Sequence, residues 1–509
     1  MKFRIVTCLV LLFIFSCKEE IKVEVATPSV ASNTYTNPIF SGDYPDPSIL
    51  RDGDDFYMVH SSFEYYPGLL IWHSTDLINW EPVTHALTEY LGSVWAPDLV
   101  KYENKYFIYF PASNTNYVIT ADNIAGPWSA PIELKVSMID PGHITDDEGN
   151  RYLYFSSGSY VPLSKDGLSV AGDVKHVYDG WEIPREWSIE CFCMEGPKLF
   201  KRGDYYYLTV AEGGTAGPAT GHMVISARSK SPLGPWENSP QNPILRTTSK
   251  NEKWWSVGHG TVFNDSQDNW YMVFHGYENE FYNKGRQTML VPITWTEDGW
   301  YKIPDEIDLE SPIKVPPLKN NIEKSFDLND DFSGETLKSQ WTFYKGFSYN
   351  RFHLIDESLI VKAMGDNVAN TSPLLTIPLD HSYIVDVEME LSNEAVGGLI
   401  LFYNERAFSG ILADSNNILA NLRGWQFVTE SNVINNHVFL RLKNTSNTVD
   451  MFYSLDGKIW NKIENSLEAG SYNHNVLSGF LSLRIGLVSM GDGEVKFKNF
   501  KYQSITHEE

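Results

Sequence analysis

Three carboxylates in this chain sit beside residues that stiffen or sharpen the backbone: Asp46 in "YPDPSI", Asp140 in "SMIDPG" and Glu195 in "CMEGPKLF". Pro45 and Pro47 flank Asp46, limit its backbone freedom and so fix the direction of its side chain. Such rigidity suits a base that must hold one water in line. Two carboxyls on opposite sides of a sugar ring can cleave a glycosidic bond, one protonating the leaving oxygen while the other activates water or attacks carbon. A third can tune the acid. A single Asp-Pro or Glu-Gly-Pro step more often just starts a turn, so the chemistry depends on bringing three distant positions together.

The elements that would do so recur along the chain. "DPSILRDGDDFYMVHSS" from Asp46, "APDLVKYENKYFIYFPA" from Ala96, "DPGHITDDEGNRYLYFSS" from Asp140, "EGPKLFKRGDYYYLTVAEG" from Glu195 and "GHGTVFNDSQDNWYMVFHG" from Gly258 share one design. Each reads as a short strand, a polar turn with Gly, Asn or Asp, and a second strand rich in Tyr, Phe and Val. Units of this kind repeating every 40 to 60 residues predict propeller blades, since one unit cannot bury its own face until neighbours stack on it. Five hairpins predict five blades. Their innermost strands line a central channel, so the residues that open them (Asp46, Asp140, Glu195 and His259) converge at its mouth. Asp98 in "WAPDLV" reads as a capping group outside the catalytic set, and Glu212 closes a strand away from an opener position. After "SPIKVPPLKNN" the texture changes to alternating runs such as "VDVEMEL", with Val385, Val387, Met389 and Leu391 on one face, which predict an antiparallel sandwich. The fold class is therefore all-β, with a leader at 1–16, a linker at 17–37, the propeller at 38–310, a second linker at 311–325 and the β-sandwich at 326–509.

Composition narrows the partners. With 40 Lys plus Arg against 65 Asp plus Glu, a formal charge of −25 argues against nucleic acid. Lys2 and Arg4 precede an apolar run too short to span a bilayer, which predicts an export signal. Its end, "IFSC", resembles a bacterial lipoprotein box, implying that Cys17 is lipidated and that an N-terminal lipid is the only membrane contact, on the periplasmic or cell-surface side of an outer membrane. Cys191 and Cys193 in "ECFCME" would lie 6 to 7 Å apart on one face of a strand, awkward for a disulfide, and read as buried thiols.

"YPDPSI", "SMIDPG" and "CMEGPKLFKRGDYYYLTVAEGGT" resemble the catalytic blocks of the family 43 glycoside hydrolases, with "GHG" and "GRQTMLVPITWTEDGW" similar to later blocks. "DDFSG" and "GGLILFYNERAF" resemble the concanavalin-like sandwich appended to many of them. The resemblance implies single displacement with inversion, Asp46 as general base, Glu195 as general acid and Asp140 raising the acid's pKa. Inversion needs the base and acid carboxyls about 6.5 to 9.5 Å apart, leaving room for water. It further implies that Arg286 reaches sugar hydroxyls, that Trp95 and Phe63 line the terminal-sugar subsite, that Thr215 is a pocket residue, and that His259 sits under the site, with water or a structural calcium beside it. The chemistry needs no metal. The substrate implied is an oligosaccharide or polysaccharide, with β-1,4-linked xylose as the terminal pentose released. Its alternatives are an α-L-arabinofuranosidase of the same fold, a surface glycan-binding lipoprotein without chemistry, and a calcium-binding scaffold.

Overall fold

The computed structural model describes residues 33–505, apart from 321–325, 347–348 and 393. The leader and the lipidation position Cys17 lie outside the described residues. Five sheets form the propeller. The first pairs Ser48–Asp52, Asp55–Val59, Gly68–Ser74 and Glu81–Leu87 in that order, and the next four repeat the plan from Asp98–Tyr102, Gly142–Thr145, Met194–Arg202 and Trp254–Asn264. The first hairpin turns on the two residues between Asp52 and Asp55, the second on those between Tyr102 and Lys105, and the fourth on those between Arg202 and Tyr205. Gly53, Glu103 and Gly203 there take φ of 68°, 54° and 58°, the left-handed values that tight hairpins demand. The second strands of blades two, four and five do not alternate: Lys105–Ala112 and Tyr205–Glu212 are buried at all but their first residue and Trp270–Glu278 throughout. Each blade is covered on both faces by its neighbours, which explains the continuous aromatic and branched runs.

One buried ion pair ties the inner strands together. Lys198 of the fourth blade donates to Asp98 Oδ1 of the second at 2.7 Å and to the carbonyl of Pro97 at 2.8 Å. The same aspartate accepts from the Ser48 hydroxyl of the first blade and from the His143 N–H of the third. Thr261 of the fifth blade reaches the Pro47 carbonyl at 2.7 Å. The ring closes through the segment before the first blade: Asn37 exchanges hydrogen bonds with the backbone of Leu290, and Phe40 bridges Thr288.

The second domain packs two sheets face to face, supplying all eight strands of one and seven of the eight of the other. Tyr383–Leu391 alternates as expected, with Val385, Val387, Met389 and Leu391 inside. One sheet runs on into the propeller, where Tyr65–Tyr66 adds an edge strand to Thr342–Tyr344. Arg484, from the strand Arg484–Asp492, lies 3.7 Å from Asp43 and over the ring of Tyr65. His381 stands 2.9 Å from Glu278 of the fifth blade. Among the described residues no helix is long and apolar enough to cross a membrane.

The two thiols require a correction. Cys191 and Cys193 form a disulfide and are half-buried rather than buried. They precede the strand Met194–Arg202 instead of lying in it, and bends at Glu190 and Phe192 bring their Cα atoms to 5.2 Å, inside bonding range.

Candidate active site

Asp46, Asp140, Glu195, Phe63, Trp95, Thr215, His259 and Arg286 line one pocket of about 510 Å³, completed by Ile139 and Phe480. Every site residue singled out in the propeller is therefore brought together. Asp46 and Asp140 lie two residues before the inner strands of blades one and three, both at φ 58°, and His259 of blade five takes 55°. Residues before proline favour extended backbone, so Asp46 and Asp140 hold a conformation that their own neighbours oppose and the ring imposes. Glu195 is offset by one residue. In its blade the left-handed position is Gly196, at φ 59°, where a Cβ would come within 2.7 Å of the His259 ring. The strand is irregular between Glu195 and Lys198, which lets the glutamate enter the pocket from one position earlier than the aspartates.

Asp46 is 4% exposed, and both oxygens are held. Oδ1 accepts from Arg286 Nη1 at 3.0 Å and faces His259 Nδ1 at 3.3 Å, while Oδ2 accepts from the Ser61 hydroxyl. His275 Nδ1 lies 3.2 Å from Oδ1 but already accepts the Asp46 backbone N–H at 3.0 Å. That fixes its proton on Nε2, which reaches the Thr215 hydroxyl at 3.2 Å. Burial alone would raise the carboxyl of Asp46, yet the Arg286 guanidinium, with His259 after it, holds it well below the usual carboxylate range.

The other two carboxyls behave as a pair. Asp140, buried, accepts from the Gly196 N–H at 3.0 Å and the Ser156 hydroxyl at 3.2 Å. Burial first, then the charges of Glu195 and Asp46, push it up to about 8. Glu195 keeps 21% of its side chain exposed, and His222 Nε2 lies 3.2 Å from Oε1. That contact is too poorly aligned to count as a hydrogen bond and acts through charge and dipole. Burial raises Glu195, but His222 and His259 outweigh it and lower it. In the free protein the pair's last proton therefore resides mainly on Asp140.

Arg286 is buried, with its guanidinium 5.7 Å from the Phe63 ring and 5.4 Å from the Phe480 ring. Trp95 is 36% exposed at the rim, edge-on to Phe480. Asp98 and Glu212 lie outside the pocket, the first in the ion pair with Lys198 and the second accepting the Trp181 N–H at 2.9 Å.

Asp46, His259 and His275 could offer a metal three atoms within 4.8 Å of one another. Two of the three are nitrogens, one already occupied by an N–H, and the Arg286 guanidinium stands 3.0 Å from the single carboxylate. Calcium takes six to eight oxygens, and this set does not fit it.

Sequence reasoning missed His222, His275, Ser61 and Phe480. His275 and Ser61 had a signal: His275 interrupts the apolar run of the second strand Trp270–Glu278, and Ser61 follows the second strand Asp55–Val59 by two residues. Phe480 had none: it comes from the sandwich, between the short helix His474–Leu477 and the strand Arg484–Asp492.

The sequence profile of glycosyl hydrolases family 43 matches residues 35–301, and that of the β-xylosidase C-terminal concanavalin A-like domain matches residues 329–503. A non-reducing end α-L-arabinofuranosidase of Bacteroides ovatus is 32% identical over 380 residues, covering 69% of each chain. A xylan 1,3-β-xylosidase of a Vibrio species is 28% identical over 503 residues, covering 86% of this chain and 92% of its own. A solved family 43 structure from a Bacteroides ovatus xyloglucan locus superposes with a TM-score of 0.84 at 26% identity, covering 93% of this chain and 100% of its own.

Proposed function

This chain belongs to glycosyl hydrolase family 43, and from that premise we propose an inverting, exo-acting glycosidase that releases a terminal pentose, β-1,4-linked xylose first, from plant or algal glycan fragments. The observation that carries it is the convergence of Asp46, Asp140 and Glu195 on one pocket with unequal exposure. The buried Asp46, ionised in the free protein, is the base that takes a proton from water as it attacks the anomeric carbon. Glu195, open to the pocket, is the acid that protonates the departing oxygen. A bound sugar covers the exposed part of Glu195 and favours its neutral form, moving the pair's proton from Asp140 to the side that faces the leaving group. Arg286 and the rings of Phe63, Phe480 and Trp95 receive the sugar, the aromatic faces meeting its C–H face.

The Bacteroides ovatus relative's name favours an α-L-arabinofuranosidase as the second reading, and the Vibrio relative's name favours a β-xylosidase. Hydrolysis of aryl β-xylosides and α-L-arabinofuranosides, with the anomer of the first product followed by NMR, separates them. The same measurement tests inversion. Asp46→Asn and Glu195→Gln should each cost at least about a hundredfold in kcat, with the Glu195→Gln loss shrinking on substrates with good leaving groups. Rates close to wild type in both variants would overturn the roles. The proposal includes export behind the leader and a lipid on Cys17 at the outer membrane.

A further inference from the structure

A second, open pocket is lined by Trp181, Arg185, Phe192, Cys193, Met194 and Glu212 among others, and Met194 is the chain neighbour of Glu195, which lines the catalytic pocket. Phe192 is 79% exposed, with its ring free to meet a ligand. It is held there rather than loose. The disulfide joins the residues on either side of it, the Glu190 N–H donates to the Gly213 carbonyl at 2.9 Å, and the Gly213 N–H donates to the Cys193 carbonyl at 3.2 Å. Glu190 also accepts the Ala216 N–H at 2.7 Å, which docks the segment on the turn that carries Thr215.

Phe192 precedes Glu195 by three residues, no more than about 10 Å of chain. Since the acid marks the side from which the leaving oxygen departs, whatever remains attached to that oxygen must pass over the rim built from this segment. We infer that this second pocket and Phe192 form a subsite for the leaving-group sugars of a glycan chain, with the Phe192 ring as a stacking platform. This rests on the reading of Glu195 as the acid. An aromatic face ringed by ionisable groups suits a sugar, whose C–H face stacks while its hydroxyls bond the charges. Asp179, Glu182 and Arg185 provide those groups at the rim, and Glu212 lies deeper. One Glu212 oxygen accepts the Trp181 N–H, and the other is buried with no partner, left over for a ligand hydroxyl or a bridging water.

The test compares Phe192→Ala with wild type on 4-nitrophenyl β-xyloside and α-L-arabinofuranoside, which lack leaving-group sugars, and on xylotriose and arabinosyl-xylobiose, which have them. The loss in kcat/KM on the trisaccharides should exceed that on the aryl glycosides about tenfold, mainly through KM, and Phe192→Tyr should restore most of it. Equal losses on both classes, or none on the trisaccharides, would overturn the subsite. A calorimetric titration in the Asp46→Asn background keeps this separate from the catalytic reading. Even if no substrate is turned over, Phe192→Ala must weaken xylotriose binding about tenfold more than xylose binding. Equal weakening, or no trisaccharide binding by the parent, rejects the inference.

Discussion

At the scale of single residues, the pocket separates three chemically similar carboxyls by what surrounds them. Asp46 has a guanidinium and imidazoles, Asp140 has burial and two negative neighbours, and Glu195 has partial exposure beside His222. One pH profile reads both extremes. Because Asp46 stays ionised far into acid, the acidic limb of kcat/KM should fall below about pH 4. The basic limb should reflect the last proton of the Asp140 and Glu195 pair. Asp140→Asn removes the like charge that holds that proton, so this limb should move to lower pH by about one unit or more. A basic limb that stays in place would show that the two carboxyls do not share a proton. The letters around Asp46 announced a constrained aspartate, but not its partners: His275 and Arg286 lie more than two hundred residues away.

At the scale of elements, the hairpin and its opener are the unit that the sequence displays. Turn chemistry and strand composition are local, so blades could be counted from the letters. The one-residue offset of Glu195 was hidden because it depends on an irregular strand pairing and on a glycine fitting against the His259 ring. The disulfide was misread for a related reason, since a bend replaced the assumed strand. The loop that carries Phe480 is the clearest case of an element supplied from elsewhere. Its backbone N–H donates to His474 Nδ1 at 2.8 Å, the two rings stack at 3.8 Å, and Asn475 reaches Gly217 of the propeller. Phe480→Ala should raise KM for even the smallest aryl glycoside by about tenfold while leaving the pH profile of kcat in place. A shifted profile would instead assign the ring an electrostatic role through Arg286.

At the scale of the whole molecule, the sandwich is part of the catalytic architecture. It shares a sheet with the propeller at Tyr65–Tyr66, reaches Asp43 through Arg484 and Glu278 through His381, and supplies one wall of the pocket. The Glu278 contact has a stated pH dependence. Burial alone would raise this carboxyl, but His381, Gln287 and Lys284 lower it to about 2 from its usual 4.5. Its stabilising contribution is therefore complete above pH 4.5 and disappears as pH falls through 2. Discounted for the 40% exposure of His381, that contribution is about 2 kcal/mol. Glu278→Gln should unfold at lower denaturant than wild type at pH 7, and the difference should narrow as the pH is lowered from 4.5 toward 2. A constant difference across that range would place the interaction elsewhere.

By itself the sequence determined the repeated hairpins, the alternating strands of the second domain and the three carboxyls with their flanking prolines and glycines, because turn preferences and the two-residue period of a strand are written over a few neighbouring residues. Tertiary structure alone decided which oxygen each carboxyl presents, which of the three retains a proton, and that an aromatic from the far domain closes the pocket. Those properties depend on distances between groups that only ring closure and sheet packing bring within a few ångströms, where burial and charge act strongly.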